Sequence, residues 1–548
     1  MRWRLLLLFL LLASASAARL PLPYVEYLEA HKAGDAMALE RLAEEDGYVQ
    51  ILAARALARL QSLSDAKRLD YALQAAEFDN AAADWLLAAR LRQRLGRNGV
   101  VEAYARALPL DEAREALLVF AARGDEEAIA ALYRDGDYEE LLDVLPEEAV
   151  SWRARSLYRL GRYEEALPWY QVWAGREEAG RWGLARTLLK LGDYDLAAKI
   201  YRSLPGPAAR TGLGEALEAA GRLEEAAAAY AAGDAVGQWR AAGIYEKKGR
   251  LEDALKLYRQ LARGESLYAD DATLRLWVLA RRRGDVGLEE WAYNRLDGGL
   301  AVLIGKPLEG VPRYDRGRFY AETLEGYLGL RRVTELLAAG KVDWALGAAR
   351  WWVREVDAGR QREKLRYLIA REIGQYGRWD WALRIVPDHP RTNFVPYWRV
   401  AYPRAYEREV LAAARTFGLE PEVLWAVMRV ESRFDPKAVS PTGARGLMQF
   451  TAATWAEVAK KLGPADPFDP GAAIRYGAYY LARQLRACDG LLVCALSSYN
   501  GGPGYTRRAL EAVGGDVWDF MRFQPRDEPR EYVERVLWAY AVYKELYR

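Results

Sequence analysis

The stretch Gly161-Arg162-Tyr163-Glu164-Glu165-Ala166-Leu167-Pro168-Trp169-Tyr170 returns three times downstream. Its Gly, Tyr, Ala and Tyr positions recur as Gly192, Tyr194, Ala197 and Tyr201, as Gly221, Leu223, Ala226 and Tyr230, and as Gly249, Leu251, Ala254 and Tyr258. The glycines stand 31, 29 and 28 residues apart. A glycine can end one helix with positive φ, and the alanine lets a neighbouring helix approach closely. A single helical hairpin cannot bury its apolar face alone, so the period implies stacked hairpins.

Weaker echoes stand at Gly136-Asp137-Tyr138, at Gly340-Lys341-Val342 with Ala345, and at Gly377-Arg378-Trp379 with Ala382. From about Tyr24 to about Pro387 apolar residues recur at spacings of three and four, with no sustained alternation, so helix is expected throughout. The repeat is shorter than a tetratricopeptide unit, although its signature resembles one. Arrays of this kind bind proteins or act as scaffolds. The 19 Trp and 34 Tyr residues of the chain could serve helix packing or a sugar-stacking surface.

Hydrophobic residues make up 51% of the 548 positions and charged ones 28%, enough to bury large cores. The formal charge of +2 includes Arg2 and Arg4. No basic run with interleaved aromatics stands out, which argues against nucleic acid as a partner. The densest basic cluster, Arg281-Arg282-Arg283, reads as a solvated helix end. Arg2 and Arg4 precede the apolar run Leu5 to Leu12, and Ala15-Ser16-Ala17 supplies a small-x-small cleavage pattern. Residues 1–17 therefore read as an export signal, leaving no transmembrane segment and a soluble, exported chain. Cys488 and Cys494 flank the turn signal Asp489-Gly490. They could form a disulfide in an oxidising compartment or remain buried thiols.

Pro387, Pro390, Pro396 and Pro403 cluster around a boundary, with His389 and Asn393 between them in turn-like, structural settings. Beyond it, Gly418 ends one helix and Pro421 opens the next, on which Leu424, Met428 and Glu431 share a face. The helix end and the apolar stripe both disfavour an ionised Glu431, the setting a general acid needs near neutral pH. Ser440 to Gly446 reads as a turn-rich loop leading into Leu447-Met448-Gln449, and Asn500 precedes Gly501-Gly502-Pro503-Gly504 on another turn. Ser440 and Gln449 could read sugar hydroxyls and amides, while Met448 and Tyr499 could face sugar rings.

Glu431-Ser432, Gly446-Leu447-Met448-Gln449, Tyr499-Asn500 with its glycines, and Glu528-Pro529-Arg530-Glu531-Tyr532-Val533 resemble the motifs of the soluble lytic murein transglycosylases. The likeness is specific over about 402–548 and looser upstream. It implies an all-α chain: a ring-shaped superhelix of tetratricopeptide-like hairpins over 18–318, a helical linker domain over 319–401, and a goose-type lysozyme-like catalytic domain over 402–548. In that family the glutamate at Glu431 is the sole acid/base, and the residues at Ser440, Met448, Gln449, Tyr499, Asn500, Glu528 and Tyr532 line the glycan cleft. Three positions depart from the family pattern: Phe450-Thr451-Ala452 replaces an apolar-Met-Pro run, Gly501 replaces alanine, and Pro529 replaces threonine.

The resemblance implies cleavage of peptidoglycan glycan strands in the periplasm, without a cofactor. Cell-wall synthesis proteins are expected docking partners of the array. Protonated Glu431 would donate to the oxygen bridging N-acetylmuramic acid and N-acetylglucosamine, and the substrate's own N-acetyl group would capture C1. The C6 hydroxyl would then close a 1,6-anhydro ring. Asp435, before Pro436, reads as a turn residue. Two rival readings are a goose-type lysozyme-like hydrolase on the same fold and a glycan-binding periplasmic scaffold. Serine-histidine-aspartate chemistry is excluded from 402–548, which contains no histidine.

Overall fold

Each repeat glycine adopts the backbone its position demands. In the computed structural model Gly161, Gly192, Gly221 and Gly249 have φ of +76°, +86°, +76° and +74°, a region that disfavours other residues. The next helix starts two residues later each time, giving Tyr163–Ala174, Tyr194–Ser203, Leu223–Ala231 and Leu251–Arg263. Gly136, Gly340 and Gly377, the weaker echoes, also have positive φ. The repeat alanines are all buried, as are the tyrosines at the last repeat position, Tyr170, Tyr201, Tyr230 and Tyr258.

What seats one helix on the next is a tyrosine ring over a glycine. A Cβ on Gly183 would lie 1.9 Å from the Tyr170 ring, and one on Gly212 or Gly214 would lie 2.4 Å from Tyr201 or Tyr230. Close approach thus depends on glycines of the facing helices as well as on the repeat alanines.

The structure describes residues 20–108, 110–306, 311, 324–355, 360–390, 392, 394–524 and 526–547. The export-signal reading of residues 1–17 and the turn residue Asn393 lie outside them, as do parts of the linker stretch. Among the described residues there is no strand, only isolated bridges joining Val439 to Arg445 and Arg445 to Phe450. The all-α expectation holds. Among the same residues no helix is long and apolar enough to cross a membrane.

The chain divides into two compact units. One runs to Arg250 and takes in Ala338–Trp351. Within it Trp344 stacks on Tyr24 at 5.6 Å, and Gly347 leaves room for the Tyr48 ring. The other comprises Leu251–Leu337 and the chain from Trp352 onward. Its C-terminal part is built from Glu407–Phe417, Pro421–Ser432, Ala452–Leu462, Pro470–Ala487, Leu492–Gly501, Pro503–Glu511, Val517–Phe523 and Asp527–Leu546. Fully buried Trp425 anchors this core and donates to the Ala405 carbonyl at 2.9 Å.

Packing in the second unit does not break at residue 402. Trp398 and Tyr402 stack at 6.1 Å, and the His389 ring meets Trp538 edge-on at 5.2 Å. The Arg281-Arg282-Arg283 cluster is the solvated helix end that the sequence suggested, closing Ala269–Arg283 with exposed side chains, and it also carries ion pairs. Arg282 pairs with Asp516 at 2.9 Å and Asp519 at 3.0 Å, and Arg283 pairs with Glu252 at 2.9 Å. The acids at 516 and 519 lie over 230 residues away, a partnership that local reading could not detect.

Candidate active site

Glu431 is the penultimate residue of Pro421–Ser432, a helix whose residues Val423 to Arg429 are all buried. Left-handed Arg433 and Phe434, with φ of +51° and +64°, stop it. Arg429 and Arg433, on either side of Glu431, both bind Asp388, at 2.9 and 3.2 Å. Asp435 accepts from the Lys437 amide at 2.9 Å, which makes it the turn residue its sequence setting implied.

The loop that follows is folded by its own polar groups. Ser440 Oγ accepts from the Ala444 amide at 3.0 Å and lies 3.0 Å from Thr442 Oγ1. Gly446 has φ of +71°, and a Cβ there would sit 2.1 Å from the Pro467 carbonyl oxygen. No other residue fits without moving that backbone. Gln449, at φ +48°, donates its amide to the carbonyls of Ala438 and Gly446 at 3.2 and 2.8 Å. That leaves its side-chain oxygen as the group available to a ligand.

Two side chains tie this loop to the Glu431 region. Ser432 Oγ donates to the Leu447 carbonyl at 2.9 Å, and the Tyr499 hydroxyl donates to the Met448 carbonyl at 2.9 Å. Met448 itself is fully buried and fills the space beside Gly477, so it supports the site from behind and offers no face to a sugar. Phe450 is buried too, its ring 5.2 Å from Tyr480 and 5.5 Å from Tyr499.

Asn500 Nδ2 donates to Glu528 Oε1 at 3.1 Å, linking the end of Leu492–Gly501 to the first turn of Asp527–Leu546. Its Oδ1 is buried and has no partner, an acceptor still in want of a donor. Tyr532, one helical turn beyond Glu528, is buried with its ring parallel to Tyr499 at 6.5 Å. Cys488 and Cys494 form a disulfide with 5.8 Å between Cα atoms, joining the end of Pro470–Ala487 to the helix that carries Tyr499 and Asn500.

Within this site Glu431 is the carboxyl that burial affects. Burial pushes its carboxyl up to about 7, partly offset by the Tyr532 hydroxyl and Arg535, while Glu528 adds to the rise. The Tyr532 hydroxyl makes no well-aligned hydrogen bond, so its hold on Glu431 is a loose one. Burial raises the Tyr499 and Tyr532 hydroxyls well above the ordinary tyrosine range, and the nearby Glu431 adds to both shifts. A carboxyl that keeps its proton near neutrality beside neutral hydroxyl and amide groups can act as an acid and, once ionised, as a base.

The motifs therefore converge: Glu431, Tyr499, Asn500, Glu528 and Tyr532 are linked through one set of contacts, while Gln449 and Ser440 shape the adjoining loop. Sequence reading did not single out Tyr480, Arg535 or Asp388. Tyr480 was legible only as one aromatic among many. The other two act through contacts that sequence spacing does not encode.

Comparison with known proteins fits this arrangement. Residues 409–516 match the Transglycosylase SLT domain. The chain also aligns with a membrane-bound lytic murein transglycosylase F of Desulfosudis oleivorans, 36% identical over 141 residues, 24% of this chain and 30% of the relative. A soluble lytic murein transglycosylase of Salmonella typhimurium is 32% identical over 150 residues, 26% of this chain and 23% of the relative. The chain thus spans under a third of the length of these two curated relatives. Among solved structures, a 70-kDa soluble lytic transglycosylase in complex with bulgecin A superposes with a TM-score of 0.68 at 18% identity, covering 95% of this chain and 91% of that one. That likeness establishes a shared fold beyond the SLT stretch: helical superhelix and lysozyme-like domain together.

Proposed function

We propose that this chain is a peptidoglycan lytic transglycosylase, cleaving the β-1,4 bond between N-acetylmuramic acid and N-acetylglucosamine to leave 1,6-anhydromuramic ends. The observation that carries this reading is the carboxyl of Glu431, held near neutral pKa by burial at the end of its helix, within a stretch that matches the SLT domain.

Protonated Glu431 gives its proton to the bridging oxygen as the bond to muramic C1 breaks. The substrate's N-acetyl oxygen bonds to C1 and takes up the positive charge. Ionised Glu431 then removes the C6 hydroxyl proton, O6 attacks C1, and the N-acetyl group is released. Tyr532 and Arg535 steady the ionised carboxylate. The unpartnered Asn500 Oδ1 and the free side-chain oxygen of Gln449 accept from sugar hydroxyl or amide groups. On this reading residues 18–318 form a superhelix, 319–401 a linker domain and 402–548 the catalytic domain. Export to the periplasm follows from the signal at residues 1–17, the disulfide suits that compartment, and cell-wall synthesis proteins dock on the array.

Digestion of purified sacculi followed by mass spectrometry tests the proposal. Wild type should release muropeptides lighter by one water than hydrolytic products, and Glu431→Gln should release none. Hydrated reducing ends would make the protein a muramidase; no release from wild type would leave only a glycan-binding scaffold.

A further inference from the structure

The helix Asp527–Leu546 presents two opposed faces. Residues advance about 100° each around a helix, so Glu528 and Tyr532 share the face that meets Asn500 and Glu431. Arg530 and Glu534 stand on the other side. There the short helix Gly298–Leu303 comes so close that a Cβ on Gly299 would lie 2.1 Å from the Glu534 carbonyl oxygen. Buried Arg530 reaches Asp271, on Ala269–Arg283, at 3.4 Å and Asp527 at 3.2 Å, with Glu534 at 4.0 Å.

This cluster is poorly designed for stability. Arg530 Nε and Glu534 Oε1 are buried without hydrogen-bond partners. Burial raises the carboxyls of Asp271 and Glu534 while Arg530 lowers both. Apolar side chains would fill such a position at less cost. What a buried charged contact can supply is a unique register, since rotation or sliding of the helix that carries it would pull the charges apart. The face that needs a fixed register is the opposite one: rotation by a single residue would swing Tyr532 about 100° away from Glu431.

We propose that Arg530, held by Asp271 and by the close seat at Gly299, is a positioning residue that sets the rotation and depth of Asp527–Leu546, and thereby the placement of Tyr532 and Glu528 beside Glu431. Helices 269–303 are thus part of the catalytic apparatus. The inference rests on the reading of Glu431 as acid/base.

The test compares the full-length wild type with Arg530→Met, Arg530→Lys and Asp271→Asn. Arg530→Met should lower kcat for muropeptide release about tenfold or more. Affinity for a muramyl tetrasaccharide, measured in the Glu431→Gln background, should fall by a much smaller factor than kcat. Because Tyr532 lowers the pKa of Glu431, its displacement should shift the alkaline limb of the pH profile to higher pH. Arg530→Lys should recover part of the rate. Unchanged kcat and an unmoved limb would overturn the proposal, as would kcat, affinity and melting temperature falling together in every variant. Should Arg530→Met fail to fold, Asp271→Asn carries the same expectations and the same refutation. Infrared titration of the Glu431 carboxyl, identified by its loss in Glu431→Gln, reads the positioning without turnover. A raised pKa in Arg530→Met supports the inference even if wild type proves inactive on sacculi, an outcome that would sink the functional reading alone.

Discussion

At the scale of single residues, Glu431 meets two influences of one sign: the negative end of its helix and removal from water. Both favour the protonated form, and the sign carries through to stability. In the unfolded chain this carboxyl ionises at its ordinary value, whereas in the folded chain it holds its proton up to about 7. The unfolded state is therefore the first to release the proton. Glu431 thus costs the fold nothing below its ordinary pKa and destabilises it increasingly as pH climbs from there to about 7. Glu431→Gln should accordingly be more stable than wild type at pH 8, by up to about 3 kcal/mol, and no more stable at pH 4. Chemical denaturation at the two pH values checks this; an equal gain at both would show that the carboxyl is not desolvated.

At the scale of elements, the repeat was legible because glycine and alanine recur at one spacing, and both announce backbone geometry directly. The glycine-tyrosine seats were not. Periodicity tells which face of a helix is apolar but not which residue of a neighbour lies under it, so nothing in the sequence marks Gly183, within Glu178–Leu191, as the pocket for Tyr170. Gly183→Ala should lower stability by about 1–3 kcal/mol, as overpacking does, despite the better helix propensity of alanine. Urea unfolding measures it, and a stabilised variant would disprove the seat. The site divides the same way. Glu431, Tyr499, Asn500 and Glu528 were legible because they stand in short motifs. Met448 and Phe450 turned out to lie beneath the site because their burial depends on Gly477 and Tyr480, which no motif includes.

At the scale of the molecule, proline clustering drew a line near residue 402, while packing joins 251–303 to the C-terminal helices. Charge carries much of that union. Buried Arg275 meets Asp519 at 2.8 Å and Arg282 meets it at 3.0 Å, while Arg522 donates to the hydroxyl of the repeat residue Tyr258 at 3.0 Å. Removing one partner of a buried pair strands the other. Asp519→Ala should therefore destabilise this unit by about 3 kcal/mol, read as a lowered urea midpoint; a change below about 1 kcal/mol would class the contact with ordinary surface pairs.

Gly501 and Pro529, two departures from the related motifs, lie against each other. A Cβ at 501 would come within 3.0 Å of Pro529 Cγ and 2.8 Å of the Tyr505 ring. Proline is tolerated at 529 because the first helical turn needs no amide there. The two sites consequently trade as a pair: anyone transplanting the last helix of this chain into a cousin does best to carry the glycine along, since a methyl group there would press on the grafted ring and force it to give way.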